Sequence, residues 1–164
     1  MNKTLFLILL LTCIGSCKRK EQKFSLEKII FHSSMCFGTC PSYHLEIRRN
    51  RDTRLYSEVV FKKNSDYEED KEKIGYFIGS IDKTNFIKLE NLIQKVGIDT
   101  LKFDNINCCD GSVIKLIVYY NGKKKVLESM FPPKESNELI KQLFFICKNH
   151  QLRKTERIFK IENK

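Results

Sequence analysis

The chain has 164 residues, a formal net charge of +10 and seven cysteines, and hydrophobic residues make up 41% of it. This length is enough for one domain with its own core, and no internal repeat suggests more than one. The basic clusters lie at predicted turns or helix ends, without the aromatic-rich pattern that is typical of nucleic-acid binding. The composition therefore argues against a nucleic-acid partner and favours a lysine-rich surface near anionic lipid headgroups.

The N-terminal segment has the layout of a secretory signal. An apolar run over residues 5–11 follows one lysine and precedes small residues and cysteines. The run is only about half as long as the twenty residues that a membrane-spanning helix needs. The quartet IGSC, which ends at Cys17, resembles a bacterial lipobox, in which the cysteine is acylated and becomes the new N-terminus. We therefore expect a lipoprotein signal peptide over residues 1–16.

Lipidation at Cys17 would make the lipid bilayer the first partner of this protein, because multiple acyl chains give a lasting membrane anchor. Residues 17–23 are then the acylated cysteine and a short charged tether. The three residues after Cys17 are basic (KRK). Acidic residues at these positions would instead favour export to the cell surface. The sequence thus predicts a lipid-anchored protein of the bacterial cell envelope, on the periplasmic face of the outer membrane.

The first half of the predicted domain alternates apolar and polar residues, which indicates strands. A first strand falls within residues 24–31, and residues 43–47 alternate clearly enough to predict a half-buried strand. Turn residues at 50–52 connect it to a returning strand over residues 55–61, which gives a hairpin. The polar segment that follows is expected to be an exposed loop, before a short strand over residues 75–81.

The second half combines helical and strand patterns. Apolar residues recur at helical spacing before Gly97, which is placed to end the helix, and either Asp82 or Thr84 could cap its start. Asn121 and Gly122 lie between two apolar runs and predict a tight hairpin, since both residues tolerate positive φ. Two prolines then open a final amphipathic helix.

These elements predict an α+β domain over residues 24–150, with a mainly antiparallel sheet built from hairpins and two helices packed on one face. The basic tail over residues 151–164 is only weakly periodic. It is expected to add an edge strand or to fray.

Cysteines are the main candidates for chemistry. With Cys17 acylated, an oxidising compartment favours disulfides among the five that remain, namely Cys36, Cys40, Cys108, Cys109 and Cys147. A CxxxC turn with Gly38 can bring its cysteines within bonding distance. A longer link from Cys36 to Cys108 would remove more entropy from the unfolded chain, so spacing leaves this choice open. Adjacent Cys108 and Cys109 cannot easily bond each other, and we expect one of them to pair with Cys147.

The segment CFGTCPSY, which ends at Tyr43 and leads into an alternating strand, resembles an uncharacterised family of small bacterial exported domains with the motif CFGxCPxY. The resemblance extends from Ile29 to Cys147 through the order of hairpins and helices and an acidic residue, Asp110, before the second hairpin. The usual glycines of the first hairpin turn are absent here. The resemblance implies the fold, export and a local bond between Cys36 and Cys40, and it implies no activity.

A metal-handling or redox alternative uses the same motif. In thioredoxin-like copper-delivery proteins a CxxxCP pair and a histidine bind the metal, which makes Cys36, Cys40 and His44 the candidate ligands here, with His150 as a further histidine. However, those cysteines lie between a strand and a helix, whereas a period-two strand follows Pro41. The sequence therefore indicates no cofactor and no metal, with the copper-type site as the alternative.

No spacing of residues supports a catalytic site. A nucleophilic cysteine needs a histidine beside it, and His44 falls on the polar side of its strand, where solvation is the simpler expectation. The sequence favours a non-catalytic binding or envelope-associated module. Loops at residues 62–73 and 104–112 are the candidate contact segments for an interaction protein.

Overall fold

The computed structural model describes residues 24–63 and 67–163. The predicted signal peptide, Cys17 and the tether lie outside the described residues. In the part of the chain that is described, no helix is long and apolar enough to cross a membrane.

Seven antiparallel strands form one sheet. In chain order the elements are β1 (Leu26–Ser33), β2 (Ser42–Arg48), β3 (Asp52–Val59), β4 (Gly75–Ser80), α1 (Lys83–Lys95), β5 (Ile114–Tyr120), β6 (Lys123–Ser129), a 3-10 turn (Lys134–Ser136), α2 (Asn137–Lys148) and β7 (Arg153–Thr155). The spatial order is β6-β5-β1-β2-β3-β4-β7. The predicted α+β fold with a mainly antiparallel sheet is therefore confirmed.

Local sequence signals set the ends of these elements. The Asp82 carboxylate accepts a hydrogen bond from the Asn85 amide at 2.8 Å and caps α1. Asn121 and Gly122 take φ values of 49° and 72° in the turn between β5 and β6, as a type I′ turn requires. In the first hairpin, Arg51 adopts φ 70° in place of a glycine. The predicted elements thus begin and end close to where their capping and turn residues lie.

The two faces of the sheet differ. Alternate residues of the central strands, such as Phe31, Leu45 and Leu116, are buried against α1 and α2 in one apolar cluster. The Phe31 ring, for example, packs edge-on against Phe144 of α2 with the centroids 5.0 Å apart. The other face has no helix in the described structure, and mostly polar side chains project from it.

The C-terminal tail lies partly on that helix-free face. Its first residues form β7, which pairs with β4 at the edge of the sheet. The tail therefore adds an edge strand, one of the two outcomes expected for it, and three of its residues supply β4 with a hydrogen-bonding partner. Phe159 then contacts the Tyr76 ring, with the centroids 5.0 Å apart.

Candidate functional site

The loop between β1 and β2 is closed by a disulfide. Cys36 and Cys40 are bonded, with their Cα atoms 5.4 Å apart. Gly38 lies between them with φ 152°, a backbone conformation that side-chain-bearing residues rarely adopt. At the base of the loop, the Ser33 hydroxyl donates to the Pro41 carbonyl and accepts from the Tyr43 amide, both at 3.1 Å. These restraints fix the loop at both ends, and the bond is the one that the family resemblance implies.

A second loop, which precedes β5, lies beside the disulfide loop. The Ser34 amide donates to the Val113 carbonyl and the Phe37 amide to the Asp110 carbonyl, both at 3.0 Å. Each contact continues the register in which Ser33 faces Ile114. The two loops therefore extend the β1–β5 pairing past the end of the sheet.

Apolar side chains are exposed on these joined loops. The Met130 amide donates to the Ile106 carbonyl at 3.0 Å, which attaches the segment after β6 to the same cluster of loops. Phe37 is 90% exposed, and three further apolar side chains on these loops are exposed: Met35, Ile106 and Phe131. We call these four residues the apolar tip. It lies beyond the C-terminal end of β1, whereas the described chain begins next to the N-terminal end of that strand.

The remaining cysteines do not form the expected link. Cys108, Cys109 and Cys147 are all free. Cys147 faces inward from α2 as expected, but it is enclosed by the core, and burial raises the pKa of its thiol. Cys108 and Cys109 are exposed on the second loop with their Sγ atoms 2.9 Å apart, and the hydrogen bond between them raises the pKa of Cys108. The difference arises because the second loop is hydrogen-bonded alongside the disulfide loop, which leaves both thiols at the surface.

Two histidines, one buried and one half-buried, form a pair on the helix-free face. The Nδ1 atoms of His32 and His44 are 2.7 Å apart, and Nε2 of His32 is 2.7 Å from the carbonyl oxygen of Glu162. Because a carbonyl only accepts, Nε2 of His32 carries a proton and its Nδ1 accepts from His44. Burial lowers the pKa of His32 to about 4, so this ring is neutral near pH 7.

The candidate ligands of the copper-type site do not come together in this structure. Cys36 and Cys40 are bonded to each other, and the ring nitrogens of His44 face His32 and, at 3.6 Å, Glu58. His150 packs against the Phe77 ring instead. Within residues 24–63 and 67–163, no three histidine, cysteine, aspartate or glutamate side chains are placed to hold a metal ion.

The sequence did not lead us to expect the histidine pair or the exposure of Phe37. His44 is half-buried and paired with His32, whereas solvation was expected. The signal was available, because a β1–β2 hairpin closed by the cysteine loop places His32 opposite His44 in the register. The exposure of Phe37 had no such signal, since an apolar residue between two cysteines is equally compatible with burial.

A small antiparallel sheet with a disulfide-closed first connection, and helices on one face, defines a disulfide-bearing α+β domain. The sequence model of the family described as domain of unknown function (DUF6438) matches residues 27–147. The chain therefore belongs to this family. The curated proteins contain no match to the chain.

Proposed function

We propose that this protein is a lipid-anchored, non-catalytic binding module of the bacterial cell envelope, and that its apolar tip is the contact surface for a protein partner. The lipobox-like quartet ending at Cys17 supports the anchor. The single observation that carries the binding role is Phe37, 90% exposed at the top of a disulfide-closed loop.

An exposed apolar cluster on a restrained loop has the physical properties of a protein-binding site. Exposed apolar patches favour interaction surfaces, and large aromatic side chains carry much of the binding energy at interfaces. Because the disulfide and the bond from the Phe37 amide already order the loop, little conformational entropy is lost on binding.

The position of the tip fits a protein that is anchored at its N-terminus. The tip and the start of the described chain lie at opposite ends of β1, which has eight residues. At about 3.3 Å per residue, the strand separates the tether from the tip by roughly 25 Å. A tether that begins in the membrane therefore leaves the tip free to face a partner.

The experiment is site-specific photo-crosslinking in intact cells. A photoreactive phenylalanine analogue replaces Phe37 in one strain and Ile87 in a matched control, because Ile87 is also an exposed apolar residue but lies on α1. We expect a discrete crosslinked product from position 37 and none from position 87. Equal products from both positions, or none from position 37, would contradict the role of the tip.

The anchor is tested separately by intact mass measurement of the protein extracted from membranes. We expect a chain that begins at Cys17 and carries acyl groups, and release into the soluble fraction when Cys17 is replaced by alanine. A chain that retains residues 1–16, or that begins elsewhere without lipid, would contradict the anchor.

A thiol-dependent role for Cys36 and Cys40 is the competing proposal, and the free Cys108 and Cys109 thiols on the adjoining loop give it a possible exchange partner. Thiol labelling of the native protein before and after reduction separates the two. The structural role predicts that Cys36 and Cys40 are labelled only after reduction. Labelling without reductant, together with stoichiometric copper, would favour the thiol-dependent role.

A further inference from the structure

The helix-free face of the sheet holds one carboxylate of the C-terminal tail with three groups. Oε2 of Glu162 accepts from Lys28 Nζ at 2.8 Å, and Oε1 accepts from Lys124 Nζ at 2.8 Å and from the Tyr119 hydroxyl at 2.5 Å. These hydrogen bonds, led by the one from Lys124, lower the pKa of Glu162 to about 2. The carboxylate is thus ionised, and both of its oxygens are engaged.

Side chains of the sheet also donate hydrogen bonds to the backbone of the tail beside this carboxylate. The carbonyl oxygen of Glu162 accepts from His32 Nε2 at 2.7 Å. The carbonyl oxygen of Asn163 accepts from Lys115 Nζ at 3.1 Å. Two successive carbonyl groups of the tail are therefore held in addition to the glutamate side chain, which is the pattern expected for a bound peptide rather than for an isolated ion pair.

The groups that hold the tail are positioned by the register of three neighbouring strands. Lys28 of β1 faces Tyr119 of β5, which in turn faces Lys124 of β6, so these three residues form one straight row across the sheet. His32 and Lys115 form a second row, since they face each other in the same β1–β5 pairing. The backbone pairing of the three strands sets the positions of these five residues in the sheet, and the tail is no part of that pairing.

The rows are four residues apart along each strand, which corresponds to about 13 Å. Ile30 and Ile117 face each other between them and are completely buried. Glu162 itself spans the two rows, because its carboxylate lies at the first row and its own carbonyl oxygen accepts from His32 in the second. The next carbonyl group of the tail, that of Asn163, also lies at the second row.

All of these groups belong to the part of the chain that matches the family, residues 27–147, whereas their occupant lies outside it. The first row places two ammonium groups and a phenol hydroxyl on one face of the sheet, around the Glu162 carboxylate. Such a row favours a carboxylate, because charge-assisted hydrogen bonds from ammonium groups are stronger than neutral ones.

We propose that the rows Lys28–Tyr119–Lys124 and His32–Lys115 form a binding site for an extended peptide segment that carries a glutamate, and that the tail occupies this site in cis through Glu162. A glutamate-bearing segment of a partner protein competes with the tail for the same row. This site is distinct from the apolar tip and does not depend on it.

The test uses the full chain with Glu162→Lys, which replaces the bound carboxylate by a repelled ammonium group. The probes are two fluorescein-labelled peptides, ERIFKIENK and a version with glutamine at the position of Glu162, and the readout is fluorescence anisotropy. We expect the glutamate peptide to bind the variant at least tenfold more tightly than the glutamine peptide. We also expect it to bind the wild-type chain at least tenfold more weakly, because the tethered tail competes at high effective concentration.

Two further variants locate the site. Adding Lys28→Gln and Lys124→Gln to the Glu162→Lys chain is expected to abolish peptide binding. Adding Lys83→Gln and Lys88→Gln, the same change of charge on the exposed side of α1, is expected to leave it unchanged. If thermal unfolding shows that the Glu162→Lys chain is not folded, Glu162→Gln serves in the same comparison. Equal binding of the two peptides, or no binding of either, would overturn the proposal.

Discussion

The two faces of the sheet are covered by different kinds of contact. On one face, apolar residues of α1 and α2 such as Leu89 and Leu143 are completely buried against the strands. On the other face, the tail is held chiefly through ammonium groups, a phenol hydroxyl and an imidazole. Apolar burial depends little on salt or pH, whereas charged contacts depend on both. The helix-covered face therefore stabilises the fold, and the tail-covered face is suited to exchange and regulation.

The largest effect is expected from the helix-covered face. Leu143→Ala removes a completely buried side chain of α2 and leaves a cavity. This should lower the free energy of unfolding by about 2 to 5 kcal/mol, measured by urea denaturation. Ile87→Ala on the exposed side of α1 is the control and should cost less than about 1 kcal/mol. A similar loss from both variants would show that this face does not carry the stability.

The second-largest effect is expected when the pH is lowered, because a histidine on the tail-covered face then makes the folded protein less stable. Burial lowers the pKa of His32 to about 4 in the folded protein, whereas an unfolded histidine titrates near 6.5. Between these values the unfolded chain binds more protons, so stability should fall as the pH is lowered from 6.5 to 4, by up to ~3 kcal/mol. The groups around His32 that also titrate or carry charge are His44, Lys115 and Glu128.

His32→Gln removes the titrating ring and is the matched test of this assignment. Urea denaturation at several pH values should give a shallower loss of stability between pH 6.5 and 4 than in the wild-type chain. An unchanged slope would assign the pH dependence to other groups.

The smallest effect is expected from the carboxylate of the tail. Glu162→Gln keeps the shape of the side chain and removes its charge, and it should lower the free energy of unfolding by about 1 kcal/mol, because the contact is partly exposed. Added salt should reduce this difference. Glu138→Gln, which removes the more exposed ion pair with Lys141 on α2, is the control and should cost about 0.5 kcal/mol or less. Equal costs for the two variants would remove the distinction between the tail contact and an ordinary surface pair.

The separation along the chain between interacting residues explains how much of the structure the sequence could predict. Period-two alternation and the Asn121–Gly122 pair predicted the hairpins, and Asp82 predicted the start of α1, because these signals act between residues close in the chain. The strand order and the course of the tail depend on contacts between distant residues. Lys28 and Glu162, for example, are 134 positions apart, and no local pattern joins them.

The cysteines show the same limit. The CxxxC spacing permitted the bond between Cys36 and Cys40, whereas the free state of Cys147 depends on how completely the core encloses α2. Local spacing could suggest a short disulfide but could not place a long one.

Limited trypsin digestion of the folded full chain, monitored by mass spectrometry, tests the separability of the tail most directly. We predict that cleavage after Arg157 and Lys160 is about fivefold faster in Glu162→Gln than in the wild-type chain, since about 1 kcal/mol corresponds to that ratio. We also expect the product to retain the circular dichroism spectrum and cooperative unfolding of the sheet. Equal cleavage rates in the two chains, or a product that unfolds when the tail is removed, would contradict the separability of the tail.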